Sequence, residues 1–158
     1  MESARPATGA DLDELVRLWN EAVGELAGQR GGGALAATLT RKDLPGFLRA
    51  ALEDPDRLLV LGHYDGSPVG VASAWADRDR VVAIGQLELI YVEPTARQVG
   101  VAEAMLELVT DRCREWGLAG FDAPALPGNR SAKSFFERNG MQARLLIMHR
   151  PLTSRADG

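Results

Sequence analysis

Cysteine, histidine and long apolar runs are scarce in this sequence of 158 residues, and each scarcity excludes a class of protein. The single cysteine, Cys113, cannot form an internal disulfide, and with the two histidines, His63 and His149, it makes no metal-ligand spacing. No stretch approaches the roughly 18 apolar residues that a membrane-spanning helix needs. We therefore expect a reducing compartment, no bound metal and no membrane segment.

Positive charge is also too sparse for a nucleic-acid-binding surface. The chain carries 18 Lys and Arg against 22 Asp and Glu, a net charge of −4, without a dense basic run. A nucleic-acid backbone is held by a broad positive surface, whereas a small anion needs only a local one. The first twenty residues are too charged for the apolar core of a signal peptide. These features predict a cytoplasmic protein that binds neither nucleic acid nor a membrane.

The sequence does contain enough apolar material for one folded domain. Hydrophobic residues make up 46% of the chain, and a chain of this length buries about two thirds of the surface that it exposes when unfolded. Internal repeats are not visible, and the one low-complexity tract, GQRGGG at residues 28–33, is too short to separate domains. The sequence therefore predicts a single domain over residues 1–158.

Hydrophobic periodicity indicates the order of helices and strands. The predicted elements are a short strand at 5–6, a helix over 12–23, a glycine-rich connection, a helix over 44–52, strands at 57–64, 69–75 and 81–92 with a bulge at Gly85, a helix over 101–116, a strand at 119–123, a helix over 129–138 and a final strand at 143–149. Three consecutive antiparallel strands, followed by strands that alternate with helices, predict an α+β domain with a mixed, mostly antiparallel central sheet flanked by helices.

The most informative segment is the turn between the strand at 81–92 and the helix at 101–116, which reads Arg97-Gln-Val-Gly-Val-Ala102. The first amides of a helix have no intrahelical acceptor and lie at the positive end of the helix dipole, so they bind phosphate groups well. Gly100 and Ala102 are small enough to let an anion approach, and Arg97 adds a positive charge. On spacing alone, a strand-to-helix turn with small residues for packing explains the segment equally well.

Two motifs in this chain resemble those of the GNAT superfamily, the acyl-CoA-dependent N-acetyltransferases. The turn segment is similar to the family pattern Q/R-x-x-G-x-G/A. Asn129-Arg-Ser-Ala-Lys-Ser-Phe-Phe-Glu-Arg-Asn-Gly140-Met resembles the second family pattern, N-x-x-A-x-x-x-Y-x-x-x-G-F. The two motifs stand in the family's order, within residues 86–141. The resemblance implies a three-layer α/β/α fold and acetyl-CoA as co-substrate.

The resemblance also implies where acetyl-CoA binds. It would lie in a V-shaped opening between the strand that ends at Val92 and the strand at 119–123. Strand backbone around Ile90 and Val92 would pair with the pantetheine amides. The pyrophosphate would meet the backbone amides of Gln98, Val99, Gly100, Val101 and Ala102.

The helix over 129–138 supplies further candidates for this site. Asn129 would reach the pantetheine arm or the pyrophosphate, although its position also suits an N-cap. Arg130 and Lys133 could face the 3′-phosphate of CoA, or they could form a solvated helix face.

Glu88 is the candidate catalytic residue. Acetyl transfer needs a neutral amine, and a lysine-type amine at pH 7 is mostly protonated. Glu88 is the one charge in the run Gln86-Leu-Glu-Leu-Ile-Tyr-Val92, and a carboxylate placed there is costly unless it has partners. GNAT enzymes often carry an acidic residue at the matching place, so we predict Glu88 as general base, directly or through a water. A solvent-facing or arginine-paired glutamate is the alternative.

Phe136 departs from the family pattern, which often has a tyrosine there to protonate the departing thiolate. Phenylalanine cannot donate a proton, but a thiolate with an ordinary pKa of about 8.5 is a tolerable leaving group. The favoured function is an N-acetyltransferase that moves an acetyl group from acetyl-CoA to a primary amine by direct attack. The acceptor, a small-molecule or peptide amine, is left open.

Two other functions fit the same residues. A non-catalytic acyl-CoA-binding or sensing module is the main alternative, since Phe136 cannot serve as an acid. A dimeric interaction domain is a third, because exposed strands at the edge of a sheet can pair between two copies and form a homodimer.

Overall fold

Five strands form one sheet in the computed structural model of the chain, which describes residues 1–152. They lie side by side in chain order, the first four antiparallel and the last pair parallel. The mixed, mostly antiparallel sheet is therefore confirmed. The strands are β1 (Glu2–Pro6), β2 (Arg57–Tyr64), β3 (Ser67–Asp77), β4 (Ile84–Val92) and β5 (Phe121–Asp122).

Helices cover both faces of this sheet and complete the predicted three layers. One core lies between the sheet and the first three helices and includes Leu15, Trp19 and Leu48. The other lies between the sheet and the last two helices and includes Met105 and Phe136. Within residues 1–152, no helix is both long and apolar enough to cross a membrane. The helices are α1 (Leu12–Ala27), α2 (Gly32–Leu39), α3 (Leu44–Glu53), α4 (Val101–Glu115) and α5 (Arg130–Arg138).

Helix α2 lies where the sequence predicted only a glycine-rich connection. Gly31 has a φ of 75°, a left-handed conformation that glycine adopts without strain. A Cβ atom on Gly32 would lie 1.8 Å from the carbonyl oxygen of Leu26, so only glycine fits where the chain leaves α1. At the other end of α2, Trp19 Nε1 donates a hydrogen bond to the carbonyl oxygen of Leu39 at 2.8 Å. Gly31 and Gly32 therefore allow a tight connection between the packed helices α1 and α2.

The predicted bulge at Gly85 is wrong. Gly85 pairs with Ala76 in regular register. A Cβ atom at this position would lie 2.8 Å from Sγ of Cys113 and 2.9 Å from Cβ of Phe121. Glycine here allows α4 and β5 to approach β4 closely.

A bulge does occur in β4, three residues further on. Leu87 pairs with Ala74 and Leu89 pairs with Ser73, so Glu88 is an extra residue without an opposite partner on β3. The bulge changes the phase of the strand, because Leu87 packs in the core beside α4 whereas Leu89 packs in the core beside α1 and α3. In a regular strand these two side chains would share one face. Glu88 is therefore the residue at which the alternation of β4 side chains between the two faces shifts by one position.

The predicted final strand at 143–149 is not formed. Residues 142–152 have no regular secondary structure, and they make no backbone hydrogen bond to any part of the described chain. Their side chains from Leu145 to Met148 are exposed. Arg144 is held at β5, where its guanidinium donates two hydrogen bonds of 2.8 Å to the carboxylate of Asp122. An apolar run becomes a strand only where a neighbour pairs with its backbone, and none of the described residues does so here.

The start of α1 provides a prediction on stability. Asp11 accepts hydrogen bonds from Nη1 and Nη2 of Arg5 at 2.7 and 2.8 Å and from the backbone amide of Thr8 at 2.8 Å. The Arg5 guanidinium above all holds the pKa of Asp11 well below its ordinary value. We expect Asp11→Asn to lower the free energy of unfolding by about 1 kcal/mol at pH 7.

The pH dependence of this effect has a defined sign. Because folding lowers the pKa of Asp11, its carboxylate contributes stability above its unfolded pKa of about 4, and that contribution is lost as the pH falls towards the folded value. Urea unfolding at pH 7 and pH 3 should therefore show a smaller difference between wild type and Asp11→Asn at the lower pH. Asp13→Asn, on the exposed face of the same turn, is the control. Equal losses in the two variants at pH 7 would contradict the assignment.

Candidate active site

β4 and β5 pair only at the beginning of β4 and then diverge. Gly85 pairs with Phe121 and Gln86 with Asp122, and no further pair joins the two strands within residues 1–152. The gap opens towards the carboxyl ends of two parallel strands, the usual position of ligands in such sheets. The predicted V-shaped opening is therefore present, although its second strand is shorter than the predicted 119–123.

A cavity of about 520 Å³ occupies this opening, between the end of β4, the start of α4 and one face of α5. Most of the residues predicted to bind the co-substrate line it, namely Ile90, Val92, Arg97, Gln98, Val101, Ala102 and Asn129. Val99, Gly100 and Lys133 are not among its lining residues.

The turn before α4 carries unpaired backbone amides at this cavity. The first backbone hydrogen bond of the helix joins the amide of Ala104 to the carbonyl oxygen of Gly100 at 3.0 Å. The amides of residues 98–103 have no hydrogen-bond acceptor in the described part of the chain. Gln98 and Gly100 have φ values of 65° and 92°, so the backbone turns sharply here. Unpaired amides at a helix N-terminus can bind an anion.

Arg97 is already engaged in an ion pair at the edge of the cavity. Its Nη2 donates to both carboxylate oxygens of Glu25 at 2.7 and 2.8 Å, and its Nε donates to the carbonyl oxygen of Val92 at 2.8 Å. A phosphate approaching Arg97 therefore competes with the carboxylate of Glu25 for the same guanidinium.

Helix α5 adds a row of polar side chains. Arg130, Ser134 and Arg138 follow one another at four-residue spacing, and all three line the cavity. Sequence reasoning identified Arg130 but missed Arg138, although Arg138 lies eight residues after Arg130 and helical spacing places both on the same face of α5. Arg138 lies 3.7 Å from the carboxylate of Glu103 on α4. Two cations therefore border the cavity on the α5 side.

The two other predicted residues of this helix lie in different places. Asn129 caps the helix, since its Oδ1 accepts a hydrogen bond from the amide of Ala132 at 3.0 Å. It also lines the cavity, so the two roles considered for it are compatible. Lys133 is directed away, with a side chain that is 66% exposed and lies 3.8 Å from the carboxylate of Glu137.

Glu88 lies at a narrow continuation of the cavity. A second cavity of about 80 Å³ shares Ile90, Asn129, Ala132 and Phe136 with the first, and Glu88 lines it. The two spaces therefore lie side by side along β4. The side chain of Glu88 is 16% exposed, so it is accessible but largely buried.

Two donors position the Glu88 carboxylate. Nη1 of Arg57 donates to Oε1 at 3.0 Å, and Oγ of Ser73 donates to the same oxygen at 2.8 Å. Ser73 is 1% exposed, and sequence reasoning gave no signal for it. Within residues 1–152, no donor contacts Oε2 of Glu88. One oxygen is thus anchored, as in the ion-paired alternative, while the other has no donor.

A proton donor for the thiolate is not provided at the family position. Phe136 is buried and lines both cavities. Tyr91 lines the larger one, but its hydroxyl donates to Oε2 of Glu21 at 3.3 Å. Burial, with the carboxylates of Glu21 and Glu25 nearby, raises the pKa of Tyr91 to about 12. The hydroxyl of Ser134 also lines the larger cavity.

The glycine-rich segment before α2 packs against the loop that follows β5. A Cβ atom on Gly32 would lie 3.3 Å from Cδ1 of Leu126. Nδ2 of Asn129 donates to Oε1 of Gln29 at 3.4 Å. These contacts join the connection between α1 and α2 to the loop between β5 and α5.

Within residues 1–152, His, Cys, Asp and Glu side chains form no group of three that could hold a metal ion.

Comparison with known proteins agrees with this geometry. The model of the acetyltransferase (GNAT) family matches residues 16–141. A search of curated proteins finds no match to this sequence. Among solved structures, the chain is similar to AAC(6′)-Iy in complex with a CoA-based bisubstrate analog, with a TM-score of 0.73, 19% identity, and coverage of 97% of this chain and 99% of the other.

Two further solved structures show the same fold. A predicted acetyltransferase from Clostridium acetobutylicum, solved with acetyl-CoA, has a TM-score of 0.71 and 16% identity, covering 96% of this chain and 97% of the other. A ribosomal-protein-alanine N-acetyltransferase from Brucella melitensis has a TM-score of 0.68 and 15% identity, covering 97% and 100%. The fold, the two motifs and the match over residues 16–141 lead to one conclusion: the chain belongs to the acetyltransferase (GNAT) family.

Proposed function

We propose that this chain transfers an acetyl group from acetyl-CoA to a primary amine by direct attack, with Glu88 as the proton acceptor. One observation carries the proposal. Two adjoining cavities link the free amides of residues 98–103 at one end with the half-anchored carboxylate of Glu88 at the other. A thioester bound at its phosphate end by the first group would bring its acetyl end towards the second.

Acetyl-CoA supplies the reactive thioester, in which a carbon–nitrogen bond to the acceptor forms and the carbon–sulfur bond breaks. The chain's own task is to manage protons. A protonated amine must lose one proton before it can attack, and Oε2 of Glu88 is available to take it. The nitrogen loses a second proton on becoming an amide, and that proton ends on the sulfur of CoA.

Arg57 and Ser73 are positioning residues in this scheme. Both donate to Oε1 of Glu88, so they hold the carboxylate in one orientation and leave Oε2 without a donor. Arg57 is itself held between Phe47 and Trp75, with its guanidinium carbon 5.1 and 5.7 Å from the two ring centres. A carboxylate fixed in this way loses little orientational freedom when it accepts a proton.

The phosphates would be bound by backbone amides and by cations on α5. The free amides of residues 98–103 would take the pyrophosphate, which includes the predicted contacts of Val99 and Gly100. Arg130 and Arg138 would face the 3′-phosphate from the row on α5, whereas Lys133 would join them only by leaving Glu137. Departure of the CoA sulfur would rely on its ordinary thiolate stability, with Ser134 nearby, because Phe136 has no proton to give.

The acceptor would be a small-molecule or peptide amine. The solved structures that the chain resembles include a complex with an acetylneamine-based analog and a ribosomal-protein-alanine N-acetyltransferase. The direct test is calorimetry with acetyl-CoA, followed by thiol release with a panel of aminoglycosides, polyamines and peptides with N-terminal alanine or internal lysine. We expect binding, and amine-dependent thiol release with at least one acceptor class.

The outcomes of this test separate the candidate functions. Binding of acetyl-CoA without turnover on the whole panel would support the non-catalytic acyl-CoA-binding module, which Phe136 favours. Absence of binding would overturn both the enzyme and the binding module.

A further inference from the structure

The two cavities of the candidate active site differ in their lining. We call the space of about 80 Å³ at Glu88 the narrow cavity and the space of about 520 Å³ the large cavity. Ten of the twelve residues that line the narrow cavity are apolar, and the other two are Glu88 and Asn129. The large cavity is bordered by several charged side chains, among them Glu25, Arg97 and Arg130. The narrow cavity is therefore a hydrocarbon-lined space with one carboxylate.

Glu88 lines the narrow cavity and not the large one, whereas Ile90, Asn129, Ala132 and Phe136 line both. These four shared residues mark the junction of the two spaces. In the proposed function the phosphates of acetyl-CoA occupy the large cavity, so the thioester reaches the junction from that side. The attacking amine must come from the other side, where its proton acceptor lies. The narrow cavity is thus the approach of the acceptor.

Two leucines of the narrow cavity take no part in the packing of the fold. Leu35 on α2 and Leu126 in the loop between β5 and α5 both line it, and neither of the two hydrophobic cores includes them. Both side chains are partly exposed. Apolar surface left in water is removed from it only when something apolar covers it. The lining therefore favours a ligand that brings hydrocarbon to these leucines.

The polar groups of the narrow cavity suit an ammonium group better than hydroxyl groups. Asn129 accepts a hydrogen bond from the amide of Ala132 at Oδ1 and donates one to Oε1 of Gln29 from Nδ2. Oε2 of Glu88 has no donor within residues 1–152. An amine entering the cavity meets this acceptor. Hydroxyl groups buried against leucine would lose their hydrogen bonds to water without replacement, which is costly.

We propose that the acceptor is a primary amine at the end of an unbranched hydrocarbon stem, which lies in the narrow cavity with its nitrogen at Glu88. A lysine side chain and a free alkylamine share this chemistry. A space of about 80 Å³ holds only a few groups of the size of water, so a sugar ring with several substituents is too large for it.

This inference rests on the proposed acetyl transfer and specifies its acceptor. The stem nitrogen forms the bond to the acetyl carbon as the carbon–sulfur bond breaks. The products are the N-acetylated stem, free CoA and one proton.

Thiol release with a series of alkylamines tests the proposal. At saturating acetyl-CoA we expect kcat/KM of wild type to rise about two- to fourfold with each methylene from ethylamine to butylamine, because each added methylene is buried. Neamine should react at least about 100-fold more slowly than butylamine, since its hydroxyl and further amino groups would be buried unpaired. A peptide with one internal lysine tests the second source, and whichever of the peptide and butylamine reacts faster identifies the source of the stem.

Leu126→Gln makes the narrow cavity more polar at nearly constant size. It should lower kcat/KM about tenfold for butylamine and less than threefold for ethylamine, mainly through KM. The dissociation constant for acetyl-CoA should stay unchanged, because Leu126 does not line the large cavity. Leu52→Gln is the matched control: Leu52 is a partly exposed leucine on α3 that lines neither cavity. It should keep the dependence of wild type on stem length.

The contrary results separate this inference from the function on which it rests. Faster reaction of neamine than of every stem amine would overturn the inference and leave acetyl transfer standing. A kcat/KM that does not change with stem length would do the same, as would equal losses in Leu126→Gln and Leu52→Gln. Binding of acetyl-CoA without thiol release for any amine would overturn the proposed function, and this inference with it.

Discussion

Glu88→Gln should lower kcat by about 100- to 1,000-fold and leave the dissociation constant for acetyl-CoA unchanged. The amide of glutamine can still accept the hydrogen bonds of Arg57 and Ser73 at its oxygen, so the local structure should persist. It cannot accept a proton from the amine. The loss should therefore fall on the transfer step rather than on binding. Steady-state kinetics with the best acceptor, together with calorimetry for acetyl-CoA, would measure the two effects separately.

Two controls make this result specific. Glu107→Gln removes the same charge from the exposed face of α4 and should leave kcat within about twofold, as surface substitutions usually do. The acid side of the pH–rate profile reports protonation of the essential base, so it should flatten in Glu88→Gln. If the variant keeps wild-type turnover across the pH range and with several amines, Glu88 has no part in the mechanism.

Ala102→Glu should raise the dissociation constant for acetyl-CoA by at least about 100-fold. Ala102 is the second residue of α4 and lines the cavity beside the free amides. A carboxylate there would repel the phosphates and occupy the space that they need. Glutamate in the first turn suits a helix, because it lies at the positive end of the helix dipole. The fold should therefore survive, and circular dichroism can verify it.

Val82→Glu is the matched control for this variant. Val82 lies in the loop between β3 and β4, is 63% exposed, and does not line the cavity. We expect its effect on binding to be below about twofold, since it places the same charge on an exposed apolar residue outside the turn before α4. Gly100→Glu would be a poorer test, because Gly100 has a φ of 92° and a new Cβ would lie 3.1 Å from the side chain of Glu2. Equal weakening in Ala102→Glu and Val82→Glu would contradict the position of the phosphate site.

The sequence predicted those parts of the fold whose signals are local. Amphipathic periodicity located α1, α3 and α4, and the apolar runs at 57–64 and 69–75 located β2 and β3. The turn before α4, with its unpaired amides, was predicted because its geometry depends on a short, continuous segment. Asn129 was recognised for the same reason, since an N-cap is a property of one residue and its nearest neighbours.

The features that the sequence could not show depend on residues far apart in the chain. Helix α2 was missed because a run of glycines predicts a flexible connection. At Gly32, glycine is instead required by the close approach of the backbone to Leu26. The bulge was predicted at Gly85. A side chain is absent there because Cys113 and Phe121 pack closely against the backbone of Gly85. Ser73 entered the site only through its contact with Glu88 across two strands. The segment at 143–149 has the composition of a strand but finds no pairing partner in the described chain.

The bulge in β4 adds one residue, Glu88, that the pairing of β3 with β4 does not require. Because Glu88 is the one unmatched residue of the strand, removing it would leave every other β4 side chain on the face that it now occupies. Leu87 would still reach α4, and Leu89 would still reach α1. The pairing of β3 with β4 would then be regular at this point, and β4 side chains would alternate between the two faces without interruption. The alternation of the sheet therefore does not require Glu88, and what the extra residue adds is a carboxylate held by Arg57 and Ser73 beside the narrow cavity.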